Sequence, residues 1–404
     1  MSSTAPQTTL RRQVFYIPGY DPFPPRRYRE LYRREAVKQA AISGYKVEVT
    51  PRDRRQTYGW RVEGDFDGDH VTTDIDVLVW SDIVRASRPD SIVLTYVDMV
   101  KTAWIYLCSG ALFRLMRLRK GPVIAALFPV VALLLQAQLA VFVGWLVWFS
   151  AGSLVSGPVK AAFVLPAALA AYAVLRAFQH WDQKFFAYYL MHDFSFSAAG
   201  KGAYAPELHA RIDEFSDHIA RALQSDVDEV LVIGHSSGAH LAVSAVSKVL
   251  RDAQKPPATA FGLLSLGQVV PMITFLPKAH QLRADLKFLS RAGDVFWADV
   301  SAPGDGGCFA LCDPVVVSGQ GGKRRGPLVF SAAYADTLSP ELRKSLRWRF
   351  FRLHFQYLCA FDRPRDYDYF RITAGPLSLS ERYKGRKSSK SRILQPVTAF
   401  KDVA

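Results

Sequence analysis

Residues 230–238 read Val-Leu-Val-Ile-Gly-His-Ser-Ser-Gly, an apolar, β-branched run that closes on Gly234-x-Ser236-x-Gly238. A serine between two glycines at this spacing is what a strand-to-helix nucleophile elbow requires. The turn crowds its neighbours, so a Cβ at either flank would clash. The small residues that follow, Ala239, Ala242 and Ala245, suit a helix packed closely on a sheet. Such a turn exposes the Ser236 hydroxyl as a nucleophile. It also places the Ser237 N–H at a helix N-terminus, where it stabilises an oxyanion. The competing reading is a Gly-rich strand–helix turn without chemistry.

A nucleophilic serine needs a base, and the base needs an acid to orient it. Elbows of this kind place the acid and then the histidine downstream of the serine. Only His240, His280 and His354 follow Ser236. His240 lies one turn into the elbow's own helix, and His280 precedes the best acid candidate. His354 is therefore the expected base. For the acid, Val295–Val300 reads as a strand running into a Gly-rich loop, which favours Asp305. Asp313, in Cys312-Asp313-Pro314, is the alternative, and it also fits an Asp-Pro turn initiator. Asp299 falls inside the strand and reads as structural. The second oxyanion donor is expected in Pro18-Gly19-Tyr20, just after the apolar strand Val14–Ile17, from the backbone of Gly19 or Tyr20.

With these residues the chain resembles the α/β-hydrolase superfamily, on its lipase and esterase side, where Gly-His-Ser-x-Gly elbows are frequent. The resemblance covers roughly residues 12–52 and 205–372. It implies a mostly parallel sheet wrapped by helices, and a triad of Ser236, Asp305 and His354. The chain lacks the His-Gly-Gly-Gly loop of many relatives, and an insertion of about 110 residues (roughly 90–200) precedes the elbow.

That insertion carries no charged residue from Gly121 to Val159. A bilayer crossing takes about 20 apolar residues. Val130–Leu135 and Val141–Trp148 are apolar on every face, which a soluble amphipathic helix is not. A second, shorter apolar stretch runs from Ala161 to Leu175, after a turn expected at Ser150–Ser153. The reading is a membrane hairpin over about 122–178; the alternative is a greasy helix pair buried as a cap. Arg114, Arg117, Arg119 and Lys120 precede it, and Arg176 and Lys184 follow. The positive-inside rule then puts the catalytic part on the cytoplasmic side, although Lys160 near the outer turn opposes this. Met1–Thr9 shows no apolar signal-peptide core.

The expected division is 1–90 and 201–375 for the two parts of an α/β domain, 91–200 for the insertion, and 376–404 for a basic, disordered tail. A chain of 404 residues accommodates this. Its four cysteines form no paired framework, Cys308-x-x-x-Cys312 lacks a histidine pair, and no cofactor or metal is expected. The Asp65–Asp69 run has the carboxylates of a calcium loop but an early glycine, and reads as a turn. Strands are expected at Tyr45–Thr50, Thr57–Val62 and Ile75–Trp80, and a helix at the membrane face over Ile92–Phe113. Another helix carries the stripe Leu208, Ile212, Phe215, Ile219 and Leu223.

The net charge of +15 calls for a partner. No nucleic-acid recognition module stands out, so none is expected. Clusters at Arg26–Lys38, Arg114–Lys120 and Arg382–Arg392 suit an anionic membrane surface; the alternative is solvated charge. Two function classes follow. One is a membrane-anchored serine hydrolase acting on an ester or thioester, of a lipid on this reading, with an acyltransferase as a variant of the same chemistry. The other is an idle hydrolase-like fold serving as a membrane scaffold.

Overall fold

The computed structural model describes residues 10–52, 57–87, 91–154, 157–347 and 349–403. Residues 1–9, where no signal-peptide core is expected, lie outside them. Eight strands form one sheet: β1 (Leu10–Ile17), β2 (Lys46–Pro51), β3 (Tyr58–Phe66), β4 (Asp69–Val77), β5 (Glu229–His235), β6 (Ala260–Leu266), β7 (Phe296–Ser301) and β8 (Leu328–Ser331). Their order is β2-β3-β4-β1-β5-β6-β7-β8. Pairing is parallel from β4 through β8 and antiparallel among β2, β3 and β4. The fold is thus α/β, with one mostly parallel sheet built from both sides of the insertion. The Asp65–Asp69 run is the β3–β4 turn, with Asp67 and Gly68 at φ 59° and 97°.

Every residue of β5 is buried, as a central parallel strand covered on both faces should be. Alternation assigns the faces. Val14, Tyr16, Leu231 and Ile233 pack with Tyr28, Tyr32, Ala36 and Ala40 of α1 (Arg26–Ser43). Phe15, Ile17, Val230 and Val232 pack against the other layer. Each such side chain contributes about 1.5–3 kcal/mol on full burial.

The insertion is helical. After α2 (Ser81–Ala86), it comprises α3 (Ile92–Cys108), α4 (Ala111–Leu118), α5 (Lys120–Leu154), α6 (Val164–His180), α7 (Asp182–Phe185) and α8 (Ala187–Ala199). Next come α9 (Pro206–Leu223), α10 (Gly238–Asp252), α11 (Val270–Thr274) and α12 (His280–Leu289). α9, α10 and α12 form that second layer, and α9 buries the expected Leu208, Ile212, Phe215 and Ile219.

The single helix expected over Ile92–Phe113 is two. Its parts, α3 and α4, meet at a 73° bend. Gly110 turns there at φ 67°, a conformation that other residues reach only with strain. Lys120–Ser150 and Val159–His180, of 31 and 22 residues, are long and apolar enough to cross a membrane. At 1.5 Å per residue they reach roughly 46 and 33 Å, against about 30 Å of hydrocarbon. The first helix continues through the turn expected at Ser150–Ser153, to Leu154. The two cross closely at Gly144, where a Cβ would stand 2.9 Å from the Ala167 carbonyl oxygen. Leu134, Leu135, Val141, Phe142, Leu165 and Leu169 all face outward.

The segment 376–404 corrects the disordered-tail expectation. Arg12 on β1 and Glu229 on β5 form a buried ion pair at 2.5 Å. The Arg12 guanidinium also donates to the carbonyls of Gly375 and Leu377, and Glu229 accepts from the Leu379 N–H. Farther along, Tyr383 is buried against Phe330, and Ile393 bridges to Cys312. A Ser- and Lys-rich composition hid these anchors.

Candidate active site

The connection leaving β1 through α1 leads to the β2–β4 side, whereas that leaving β5 through α10 leads to β6. The helices lie on opposite faces, so a crevice opens at the carboxyl ends of β1 and β5. Open α/β sheets bind ligands at this kind of switch point. Gly19 and Ser236 meet there.

Ser236 sits at φ 57°, in the left-handed region that a non-glycine residue adopts only under local constraint. The constraint is steric. A Cβ on Gly234 would approach Ala239 Cα to 2.6 Å, and one on Gly238 would approach the Ile17 carbonyl oxygen to 2.2 Å. Neither position accepts a side chain, which explains the glycine spacing. A Cβ on Gly19 would lie 3.0 Å from Ser236 Cβ, so the loop after β1 touches the serine. Ser237 caps α10. Among the described residues, no acceptor is found for the N–H groups of Gly19 or Ser237. Tyr20 is otherwise engaged: its carbonyl accepts from the Tyr189 hydroxyl on α8, and its own hydroxyl bonds to Ser87 Oγ at 2.9 Å. Neither contact involves the Tyr20 N–H, so Gly19 and Tyr20 both remain as the second donor.

His354 ends a short helix, Phe350–His354. Its Nδ1 lies 2.8 Å from Asp305 Oδ2. The other carboxylate oxygen, Oδ1, accepts from the Gly307 N–H at 2.9 Å, and the Tyr357 hydroxyl donates to Oδ2 at 3.0 Å. Burial alone would raise the Asp305 pKa, but the His354 charge, its hydrogen bond and the Gly307 N–H bring it below the ordinary carboxylate value. Burial likewise pushes His354 down, and the charge and hydrogen bond of Asp305, helped by Asp193, carry it above the ordinary histidine value. With Nδ1 committed to Asp305, Nε2 is the nitrogen left for proton transfer.

His354 reaches the elbow through His235, the residue before the serine. Their rings are 4.8 Å apart, and His235 Nε2 lies 3.1 Å from the His354 carbonyl oxygen. Burial and the neighbouring His354 lower the His235 pKa to about 3, so it stays neutral. Gly267, just after β6, is in near contact with both partners. A Cβ there would be 3.3 Å from His354 Cε1 and 3.4 Å from Asp305 Oδ2. Among the described residues, no hydrogen bond joins Ser236 Oγ to His354.

The other acid candidates are engaged elsewhere. Asp313 caps the helix Pro314–Val317 and pairs with Arg324. Asp299 accepts from Ser265 Oγ at 2.5 Å, and burial pushes its pKa up to about 8. His240 is buried against Tyr204, and burial lowers its pKa to about 3. His280 begins α12. Among the described residues, no His/Cys/Asp/Glu group is arranged to hold a metal ion.

Two residues near the site carried no usable sequence signal of their own, Tyr357 and Asp193; His235 stood in the Gly-His-Ser-x-Gly motif without a role assigned to it. Tyr357 lies three positions after His354, one helical turn away, and that spacing is the only hint. Asp193 belongs to α8 in the insertion, and lines a cavity of about 280 Å³ that includes Ser237. Comparison with protein-family models, curated proteins and solved structures returned no match.

Proposed function

We propose that the chain is a serine hydrolase of the α/β-hydrolase type, anchored in a membrane by α5 and α6, and that it cleaves an ester or thioester of a lipid. The observation that carries this reading is the Asp305–His354 hydrogen bond at the carboxyl end of the sheet that also bears Ser236 in its strained turn.

In this mechanism His354 Nε2 takes the Ser236 proton as Oγ bonds to the acyl carbon. The carbonyl oxygen becomes an oxyanion held by the N–H groups of Ser237 and of Gly19 or Tyr20. Collapse expels the alcohol or thiol, which leaves with the proton from His354. Water then attacks the acyl-Ser236 with His354 again as base, and the acid departs as Ser236 recovers its proton. Asp305 stays ionised, holds the imidazole and stabilises the imidazolium. Tyr357 and the Gly307 N–H hold Asp305 in turn.

The lipid substrate follows from where the hairpin begins. A Cβ on Gly121, at the start of α5, would lie 3.5 Å from Gly306 Cα, beside Asp305. Arg119 Nε donates to the Ala310 carbonyl at 2.9 Å. An apolar helix rooted on the acid's loop brings the site to a bilayer surface. The basic flank Arg114–Lys120, with Arg176 and Lys184, favours the cytoplasmic side for the catalytic body. Arg26, Arg27, Arg33, Arg34 and Lys38 are exposed on α1 and suit anionic headgroups, although Glu30 and Glu35 pair with some of them. Covalent labelling of Ser236 by a fluorophosphonate is the test.

A further inference from the structure

The cavity beside Ser237 has an unusual wall. Trp80, Phe196 and Tyr204 supply aromatic surface, and His240 stacks on Tyr204. Trp80 and Phe196 rings lie 6.0 Å apart at a 43° tilt. Among the described residues, Asp193 is the only charged side chain lining it. Among the described residues, its carboxylate makes no hydrogen bond, and the charge that acts on it is that of His354. Asp193 is half-buried and lines the cavity.

An ionised carboxylate left unpaired in apolar surroundings is costly, and burial raises the Asp193 pKa to about 7, moderated by the nearby His354. A ligand cation would restore its charge balance. Aromatic faces attract the same cation through the ring quadrupole, and most strongly where water is excluded. Where Asp193 is ionised, its charge disfavours a phosphate or free carboxylate in this compartment. Neither Lys nor Arg lines the wall to receive one.

We propose that this cavity is a binding site for an ammonium group, and that the substrate carries such a group next to its scissile ester. This deepens the hydrolase reading and rests on it for the word substrate; the cation site itself does not depend on hydrolysis. Asp193 supplies the counter-charge, and the rings of Phe196 and Tyr204 supply the aromatic contact, with Trp80 buried beside Phe196.

The test uses the full chain in detergent carrying Ser236→Ala, so that no turnover is needed. Calorimetry compares choline with its uncharged isostere 3,3-dimethyl-1-butanol. Choline should bind tighter by roughly tenfold or more. Asp193→Asn should bring the two affinities together, and Phe196→Leu should weaken choline several-fold while the carboxylate remains. Equal affinity for the two ligands, no binding of either, or choline binding untouched by Asp193→Asn would overturn the proposal. In the chain with Ser236 intact, choline should slow fluorophosphonate labelling. Labelling with no choline binding removes the cation site alone; choline binding with no labelling removes the hydrolase reading alone.

Discussion

Gly19 and Ser236 lie in van der Waals contact across the crevice between β1 and β5: a Cβ on the glycine would stand 3.0 Å from the serine Cβ and 3.4 Å from its Oγ. The loop after β1 and Ser236 are thus packed as one unit. Gly19→Ala requires one of them to move by a few tenths of an ångström. The expected result is a loss of roughly 10–10² in kcat, since misplacement on the ångström scale costs that order. Stability should change by about 1–3 kcal/mol at most. Ester turnover and a melting curve on the same preparation check both. Unchanged kcat would remove this loop from the oxyanion site.

Asp305→Asn should lower kcat by roughly 10³–10⁴, because the amide no longer selects the tautomer with its proton on Nδ1. The same variant tests the electrostatics. His354 must be unprotonated to act as base, so the rate falls as pH drops through its pKa. That pKa is raised in the folded protein, chiefly by Asp305, and the acid limb should lie above the ordinary histidine value. Loss of the Asp305 charge should move the limb downward. Asp313→Asn should keep kcat and lose stability, because Asp313 pairs with Arg324 and not with His354. A crippled Asp313→Asn beside an active Asp305→Asn would reverse the assignment.

Arg12→Ala should destabilise the protein by about 3–5 kcal/mol, because Glu229 is left charged and buried without its counter-ion. The clasp on residues 375–379 opens with it. Limited proteolysis should then cut within 376–404, where the unaltered chain resists. Equal resistance in both would show that other contacts hold this segment.

The elbow was legible because its sterics leave little choice: Gly234 and Gly238 face backbone atoms at distances no side chain tolerates. Asp305 and His354 were legible through chain order, with Asp313 as a rival until the hydrogen bonds separated them. The strand pattern of the sheet was legible wherever one run of residues was evenly apolar, as in β5. The C-terminal segment was not. Its own residues are polar, and what holds it is a pair more than two hundred positions apart in sequence, Arg12 with Glu229. Asp193 was equally hidden, since no spacing relates it to Ser236, Asp305 or His354, and only the packing of α8 over the site brings it near. The bend at Gly110 was missed because a single glycine in an apolar helix is often tolerated.

The hairpin should hold the protein in the membrane pellet through high-salt and alkaline carbonate washes. Salt screens the basic clusters, and neither treatment extracts a spanning helix. Gly144→Ile should weaken the α5–α6 crossing, since even a Cβ there meets the Ala167 carbonyl. Release of the unaltered protein by carbonate would favour α5 and α6 as a buried cap.

The central claim is that Ser236 is a nucleophile activated by His354 and Asp305. Its most direct measurement is fluorophosphonate labelling of the full chain in membranes, followed by mass spectrometry of the peptide that carries residues 230–238. The account predicts one phosphonyl group on Ser236, no label in Ser236→Ala, and labelling slowed by orders of magnitude in His354→Ala. An unlabelled Ser236 in folded, membrane-inserted protein, or equal labelling in Ser236→Ala, would contradict it.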